Sequence, residues 1–196
     1  MKCLYCDHEK KKESLFSLLI KEDPLCVKCR RKMKFHHQRF KIDGKDAETF
    51  YEYDSLFKDL LLQYKECGDE ALKDVFLYGL SDYIKAKYHG YHLLYAPSTL
   101  EKRKQRGFDH LEEIYGELKM AKVNGLSMKN ELSQYGKNRR ERVKMCDNYR
   151  FIGDYGGKIL IADDVITTGS TIKGIIKVLP KTAKIKIIAL ASAKKY

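Results

Sequence analysis

No apolar stretch of this chain approaches the roughly 20 residues that a helical membrane span needs, and the first residues lack the apolar h-region of an export signal. Nothing therefore points out of the cell, and the expected location is the cytoplasm. No glycine-rich turn ends in Lys-Ser or Lys-Thr, and Gly153, Gly156 and Gly157 precede an apolar strand where a dinucleotide fingerprint would follow one. Two common nucleotide loops are thereby excluded. Internal repeats and low-complexity tracts are absent as well. Acidic residues are the scarce charge, 27 against 39 basic ones, for a formal +12 and a pI near 9.3. That balance favours a polyanionic partner. A chain of 196 residues, 43% of them hydrophobic, can bury a real core. Its length suits one α/β domain, expected over 48–196, behind a small module over 1–35.

The small module is marked by cysteine. Cys3 and Cys6 form one C-x-x-C and Cys26 and Cys29 another, with a separation suited to a four-thiolate zinc site. Each pair would supply two thiolates to a tetrahedral ion. Between them lie Leu15, Phe16, Leu18, Leu19 and Ile20 and the turn Asp23-Pro24, too little apolar material to hold a fold unaided. A structural Zn²⁺ would supply the missing stability and leave no open position for catalysis. The alternative is a pair of disulfides, but cytosolic thiols stay reduced. Cys67 and Cys146 have no partner at ligand spacing, and His36 and His37 read as loop residues, since four cysteines already complete a site.

The richest segment runs from Ile159 to Thr171. The apolar run Ile159-Leu160-Ile161-Ala162 reads as a buried parallel strand, carries Asp163 and Asp164 at its carboxyl end, and passes through Thr167-Thr168-Gly169-Ser170-Thr171 into a helix. That helix shows Ile172, Ile175, Ile176 and Leu179 at helical spacing before Pro180. In such a unit the ligand crevice lies beyond the carboxyl end of the strand, and the start of the helix offers unpaired N–H groups to an anion. Gly169 lets backbone approach closely, and the four hydroxyls add donors, which makes a cradle for one phosphate. The carboxylate pair can accept hydrogen bonds from vicinal hydroxyls or hold a hydrated Mg²⁺, which suits a ribose carrying that phosphate. Helix capping alone would explain one aspartate but not the hydroxyl cluster. The segment resembles the phosphoribosyl-pyrophosphate signature of type I phosphoribosyltransferases. There the acidic pair meets the ribose hydroxyls and the loop grips the 5′-phosphate.

Basic residues gather in three places: Lys28, Arg30, Arg31, Lys32 and Lys34; Lys102, Arg103, Lys104 and Arg106; and Lys137, Arg139, Arg140, Arg142 and Lys144. Each is dense enough to contact phosphates. Phe35 and Phe40 near the first could stack on unpaired bases. Elsewhere, residues 48–56 suggest a short strand. Leu56, Leu60, Leu61 and Tyr64 mark a helix, and Leu72, Val75, Phe76, Gly79, Leu80 and Tyr83 a longer one. Tyr91 to Ala96 is a strand closed by Pro97, and Phe108, Leu111, Tyr115 and Leu118 form a further helix. A short strand near Val123, a long polar stretch to about Arg150 and a last strand from Ile185 to Leu190 complete a mainly parallel sheet covered on both faces.

These landmarks stand in a specific order. A four-cysteine knuckle comes first, then Leu62-Gln63-Tyr64-Lys65-Glu66-Cys67-Gly68-Asp69, Pro97 leading to Arg106-Gly107-Phe108-Asp109-His110, an Arg-rich stretch at 139–142, and the Asp163-Asp164 motif. The order resembles the ComF family of competence proteins, in its ComFC branch, which joins a zinc finger to a phosphoribosyltransferase-like domain. The family usually shows Arg-Gly-Phe-Asn-Gln, where this chain has Asp109 and His110 in the last two places. The resemblance implies a type I phosphoribosyltransferase-like α/β fold and a cytoplasmic protein that supports uptake of single-stranded DNA beside a ComFA-like DNA-transport ATPase.

Two classes of function stay open on this reading: an accessory factor that keeps a phosphoribosyl pyrophosphate site, and a working transferase of unknown acceptor. In the second, an acceptor would expel pyrophosphate through an oxocarbenium-like state, with Mg²⁺ and cationic side chains absorbing charge. Arg103, Arg106 and Lys65 are the candidates to meet pyrophosphate or a DNA phosphate, and no general base stands out.

Overall fold

The computed structural model describes residues 2–10, 22–128, 143–145 and 148–194, the third of these segments through its backbone alone. The apolar residues from Leu15 to Ile20, Cys146 and the side chains of the basic cluster from Lys137 to Lys144 lie outside the described residues. The chain opens with a short helix α1 (Val27–Lys32), strands β1 (Phe35–Ile42) and β2 (Lys45–Glu52), helix α2 (Ser55–Glu66), and helices α3 (Lys73–Phe76) and α4 (Ser81–Lys87). Strand β3 (His92–Tyr95), helices α5 (Leu100–Arg106) and α6 (His110–Gly116), and strands β4 (Leu126–Met128), β5 (Val143–Met145) and β6 (Tyr149–Ile152) follow. Strand β7 (Lys158–Ile166), helix α7 (Ser170–Val178) and strand β8 (Lys184–Ser192) end it.

Five strands make the main sheet in the order β1-β2-β8-β7-β3. The pairs β2–β8, β8–β7 and β7–β3 are parallel, and β1 is an antiparallel edge. Ile159 to Ala162 on β7 and Ile187 to Ala191 on β8 are fully buried, as parallel strands covered on both faces must be. Helices close over them: α2 buries Leu56, Phe57, Leu60, Leu61 and Tyr64, and α7 buries Ile172, Ile175 and Val178. Asp54 caps α2 by accepting from the Phe57 N–H at 3.0 Å. Because β3 and β7 are parallel neighbours, their carboxyl ends lie side by side. The chain leaving β3 at Pro97 therefore meets the acidic pair of β7.

A second sheet, β4-β6-β5, is antiparallel and stands over that edge. The polar composition of this region gives no strand signal, and the sequence reading takes it as a loop. Its strands are three or four residues long, too short for an alternating pattern to emerge. Two contacts seat it. The Ile152 N–H donates to the Gly125 carbonyl at 2.9 Å, and the Tyr149 ring lies where a Cβ on Gly174 of α7 would come within 2.6 Å. Gly125 itself has φ +106°, and a Cβ there would fall 2.1 Å from the Ile152 carbonyl oxygen. Gly125→Ala is accordingly expected to unseat the small sheet at a cost of about 2 kcal/mol or more. Thermal melting followed by circular dichroism checks this.

Elsewhere the structure breaks one expected helix, adds another and shortens an expected strand. The longer helix over Leu72 to Tyr83 is broken into a 3-10 turn at Glu70–Leu72, α3 and α4, because Gly79 adopts φ +75° between them. The basic run after β3, given no element from sequence, is helix α5, capped by Thr99 and ended by Gly107 in the left-handed region. Near Val123 the chain makes one isolated parallel bridge, Lys122 to Leu93, beside β3.

Candidate functional site

At the joint carboxyl ends of β3 and β7 lies a cavity of about 270 Å³. Asp163 and Asp164 form its acidic wall, with Thr171 of α7 beside them. The cationic part of the lining is Lys65 from the last turn of α2, paired directly with Asp164, and Lys102 and Arg106 from α5. Pro97, Ser98 and Thr99 after β3 complete the base, while Met128 and Tyr149 of the small sheet form the roof. Three cations thus share with two carboxylates a space of nucleotide size, an arrangement suited to an anionic ligand that also carries hydroxyls.

Asp164 is held from three sides. Its Oδ2 accepts from the Lys65 ammonium and from His110 Nε2 at 2.8 Å, and its Oδ1 accepts from the Val165 N–H at 2.6 Å. Asp163 lines the cavity with Oδ1 accepting from the Asp164 N–H at 2.9 Å, and the Tyr115 hydroxyl pins its carbonyl at 2.8 Å. Burial lifts the Asp163 carboxyl to about 7, with Lys65 pulling the other way. Burial, then repulsion from Arg106, draws the Lys65 ammonium down to about 8. The second oxygen of Asp163 is the donor that a hydrated Mg²⁺ would take, since both oxygens of Asp164 already have partners.

His110 is the site residue that sequence reasoning missed. It starts α6, is almost fully buried, and bridges Asp164 to Arg106, whose guanidinium lies 3.2 Å from its Nδ1. Burial, Lys65 and Arg106 hold its imidazole neutral, down to about 2. A neutral ring that accepts from Arg106 at Nδ1 must donate from Nε2, which is what Asp164 requires. The departure from Asn-Gln is thus filled by other groups. Asp109 caps α6 through the Leu111 and Glu112 N–H groups, and His110 supplies a donor to the acidic pair. The signal was its place four residues after Arg106, but the meaning of that place depends on Asp164, 54 positions away.

A histidine held neutral in the fold yet free to protonate when unfolded makes stability fall as pH drops below 6.5. Between about pH 7.5 and pH 5 this amounts to about 2 kcal/mol. His110→Gln keeps a donor for Asp164 and removes the titration. Asp163, lifted to about 7, contributes in the opposite sense in both proteins, so the difference is the readout: relative to the wild type, the variant is expected to gain about 2 kcal/mol between pH 7.5 and pH 5 in denaturant melts.

The other candidates divide. Gly169 adopts φ +73° and begins α7, with its Cβ position 3.5 Å from Ile42. Thr167, Thr168 and Ser170 are exposed on the turn, and Thr168 and Ser170 satisfy one another, the hydroxyls at 2.9 Å. Only Thr171 of the five lines the cavity. Arg106 lines it too, and its Nε is buried without a hydrogen bond among the described residues, a donor that an anion would satisfy. Arg103, one turn earlier, is outside the lining. In the first basic cluster, Arg30 is structural: it forms a two-pronged pair with Asp23 at 2.7 Å and bonds the Val75 carbonyl at 3.1 Å. His36 and His37 lie on β1 rather than in a loop, with His37 Nε2 2.9 Å from buried Glu48, and Phe40 packs against the core.

The four cysteines come together. The Sγ atoms of Cys3, Cys6, Cys26 and Cys29 all lie within 4.8 Å of one another, Cys6 and Cys26 at 3.8 Å. A tetrahedral zinc with bonds of about 2.3 Å would set its sulfurs about 3.8 Å apart. Burial opposes ionisation of Cys3, yet N–H groups of Cys26, Cys6 and Tyr5 bring its thiol down to about 6. Cys29 is pushed up, by burial and then by the neighbouring sulfurs. The cluster could hold a zinc ion, and a cation between the sulfurs is what would let all four ionise.

A mainly parallel sheet between helices, an acidic pair closing a central strand, and a four-cysteine cluster ahead of it define a type I phosphoribosyltransferase-like fold joined to a metal-binding module. No family model matches the chain. The chain is similar to competence protein ComFC of Streptococcus pneumoniae (strain ATCC BAA-255 / R6), 28% identical over 91% of this chain and 93% of that protein. Among solved structures, the APRTase from Giardia lamblia complexed with 9-deazaadenine is similar over 85% of this chain and 97% of that one, at 12% identity and a TM-score of 0.41. Among the described residues, no helix is long and apolar enough to cross a membrane.

Proposed function

We propose that this chain is a cytoplasmic competence accessory protein of the ComFC kind. Its cavity binds phosphoribosyl pyrophosphate with Mg²⁺, and its basic surface handles single-stranded DNA together with a ComFA-like DNA-transport ATPase. In this reading a zinc-held module spans 1–35 and the phosphoribosyltransferase-like domain 48–196. The observation that carries the ligand is the meeting, in one cavity, of Asp163, Asp164 and Thr171, the last residue of the hydroxyl-rich turn, with Lys102 and Arg106. Ribose hydroxyls would meet the carboxylates, the 5′-phosphate the turn and the start of α7, and the pyrophosphate the cations. Arg103 would add charge behind Arg106.

Support for DNA is a surface. Phe35 is 60% exposed, its ring 6.2 Å from that of His37, and Lys28, Arg31, Lys32 and Lys34 are exposed just ahead of it. Rings beside cations are how single strands are held without regard to sequence. Affinity for single strands is expected to fall by roughly a decade for every few phosphate contacts between 50 and 200 mM salt. A flat response in fluorescence anisotropy would remove DNA from the proposal.

One observation favours a second reading, an active transferase. Met128 and Tyr149 line the same cavity as the acidic pair and would flank an acceptor there. The experiment that separates the two supplies phosphoribosyl pyrophosphate with a panel of nucleobases, amines and DNA and follows pyrophosphate release. Release that requires an acceptor and both aspartates makes the chain an enzyme. Tight binding without release supports the accessory role.

A further inference from the structure

Strand β1 ends the main sheet, and among the described residues no strand pairs with its outer edge. The register fixes which of its groups are free. Asp43 and Gly44, both at positive φ, make the two-residue turn of a tight hairpin, so Ile42 and Lys45 exchange hydrogen bonds, as do Phe40 with Ala47 and Gln38 with Thr49. Arg39 and Lys41 therefore turn their N–H and C=O groups outward, where a further strand would bond. Their side chains share one face of the sheet. Arg39 is 68% exposed and Lys41 is exposed, and β1 carries no acidic residue, the next being Asp43 in the turn. The carboxylates of β2 are already committed: Glu48 is buried among Lys87, Tyr88 and His37, Asp46 lies 3.7 Å from Lys186, and Glu52 lies 3.4 Å from Lys34. Cations alone would merely guard an edge against pairing. Here bare rings flank it as well. Phe35 at its start is 60% exposed, and Tyr83 of α4, 37% exposed, lies 5.8 Å from the His37 ring with its hydroxyl 3.4 Å from Arg39.

We propose that β1 takes up an extended acidic segment of a protein partner as a sixth strand of the sheet. The inference is independent of the ligand assigned to the cavity. Backbone bonds to Arg39 and Lys41 supply the affinity, and alternate side chains supply the specificity. Residues of the added strand opposite Arg39 and Lys41 fall on one face, so acidic residues at every second position meet both cations. The residues between them lie on the face of Phe40, which packs against the core, and are apolar. A second copy of this chain fits poorly, since two β1 strands would set Arg39 and Lys41 against their own kind. A nucleic-acid strand offers phosphates to the cations but no backbone N–H groups to the free carbonyls of the edge.

The test uses the full chain and a short synthetic peptide in which Glu and Val alternate, read by fluorescence anisotropy and hydrogen exchange at one ionic strength. The Arg39 and Lys41 amides should exchange freely in the protein alone and become protected when the peptide binds. Methylating the peptide nitrogens that face β1 removes strand bonds and keeps the charge, and is expected to weaken binding at least about tenfold. Arg39→Glu with Lys41→Gln, which alters two exposed side chains and spares the core, should weaken it by at least as much. A peptide of the same composition with Glu and Val in separate blocks should bind no better than the methylated one. Equal binding of the methylated or the block peptide overturns the proposal, and so does the absence of binding. Protection of the same amides in the protein alone, with dimers in sedimentation, gives the edge to a second copy and overturns it too. Protection by oligothymidylate and not by the peptide gives the edge to nucleic acid, with the same consequence.

Discussion

Replacing Asp163 and Asp164 together by asparagine is expected to abolish binding of phosphoribosyl pyrophosphate while leaving the fold intact. Each carboxylate would accept a charge-assisted hydrogen bond from a ribose hydroxyl. The loss of two such bonds is worth about 3–6 kcal/mol, or roughly a hundredfold to ten-thousandfold in affinity. Asparagine is chosen over alanine because its carbonyl can still accept from Lys65 and His110, whose buried donors would otherwise be orphaned. Asp163→Asn alone should keep the Lys65 ion pair entirely and still lose about half of that free energy. Circular dichroism and zinc content serve as controls. Calorimetry giving wild-type affinity for the double variant would remove the acidic pair from the site.

Cys3→Ser is expected to lower bound zinc from about one ion per chain to none and to melt the amino-terminal module. Structural zinc contributes about 10–16 kcal/mol in isolated fingers, and hydroxyl is a poor replacement for a buried thiolate. Cys3 is fully buried and belongs to the same core cluster as Leu25, Cys26, Cys29 and Met33. The damage should travel along a defined route. Arg30 ties the module to the domain through the Val75 carbonyl and stacks its guanidinium over Tyr78, 5.2 Å from the ring centre. Hydrogen exchange should therefore accelerate in α1 and α3 while β7 and β8 stay protected. Retention of one zinc per chain in the variant, measured by atomic absorption, would contradict the four-cysteine assignment.

The parts of the site that could be read from sequence are those whose chemistry is local. Asp163, Asp164 and the turn to Thr171 occupy consecutive positions, so strand, ligand edge and helix start could be inferred from periodicity and residue type alone. Four cysteines in two close pairs carry their geometry in their spacing. His110 could not be read, because a buried donor to Asp164 exists only once α6 begins against the end of β7. Lys65 was visible only as a cation, and its ion pair spans 99 positions. The roof of the cavity was invisible for a different reason. Strands β4 and β6 are only three and four residues long, and they are held by backbone approach at Gly125 and ring packing on Gly174, neither of which leaves a periodic trace. Arg30 shows the converse error: a basic residue in a basic run that looks like a phosphate contact is committed to Asp23.

The central claim is that the turn after the acidic pair receives the phosphate of a ribose ligand. It is tested most directly by titrating isotope-labelled protein with phosphoribosyl pyrophosphate and Mg²⁺ and following the backbone amides by nuclear magnetic resonance. The amides of Thr167 to Thr171 should shift together with those of Asp163 and Asp164, saturating at one ligand per chain. Shifts confined to the surface around Phe35, with the turn silent, would contradict it.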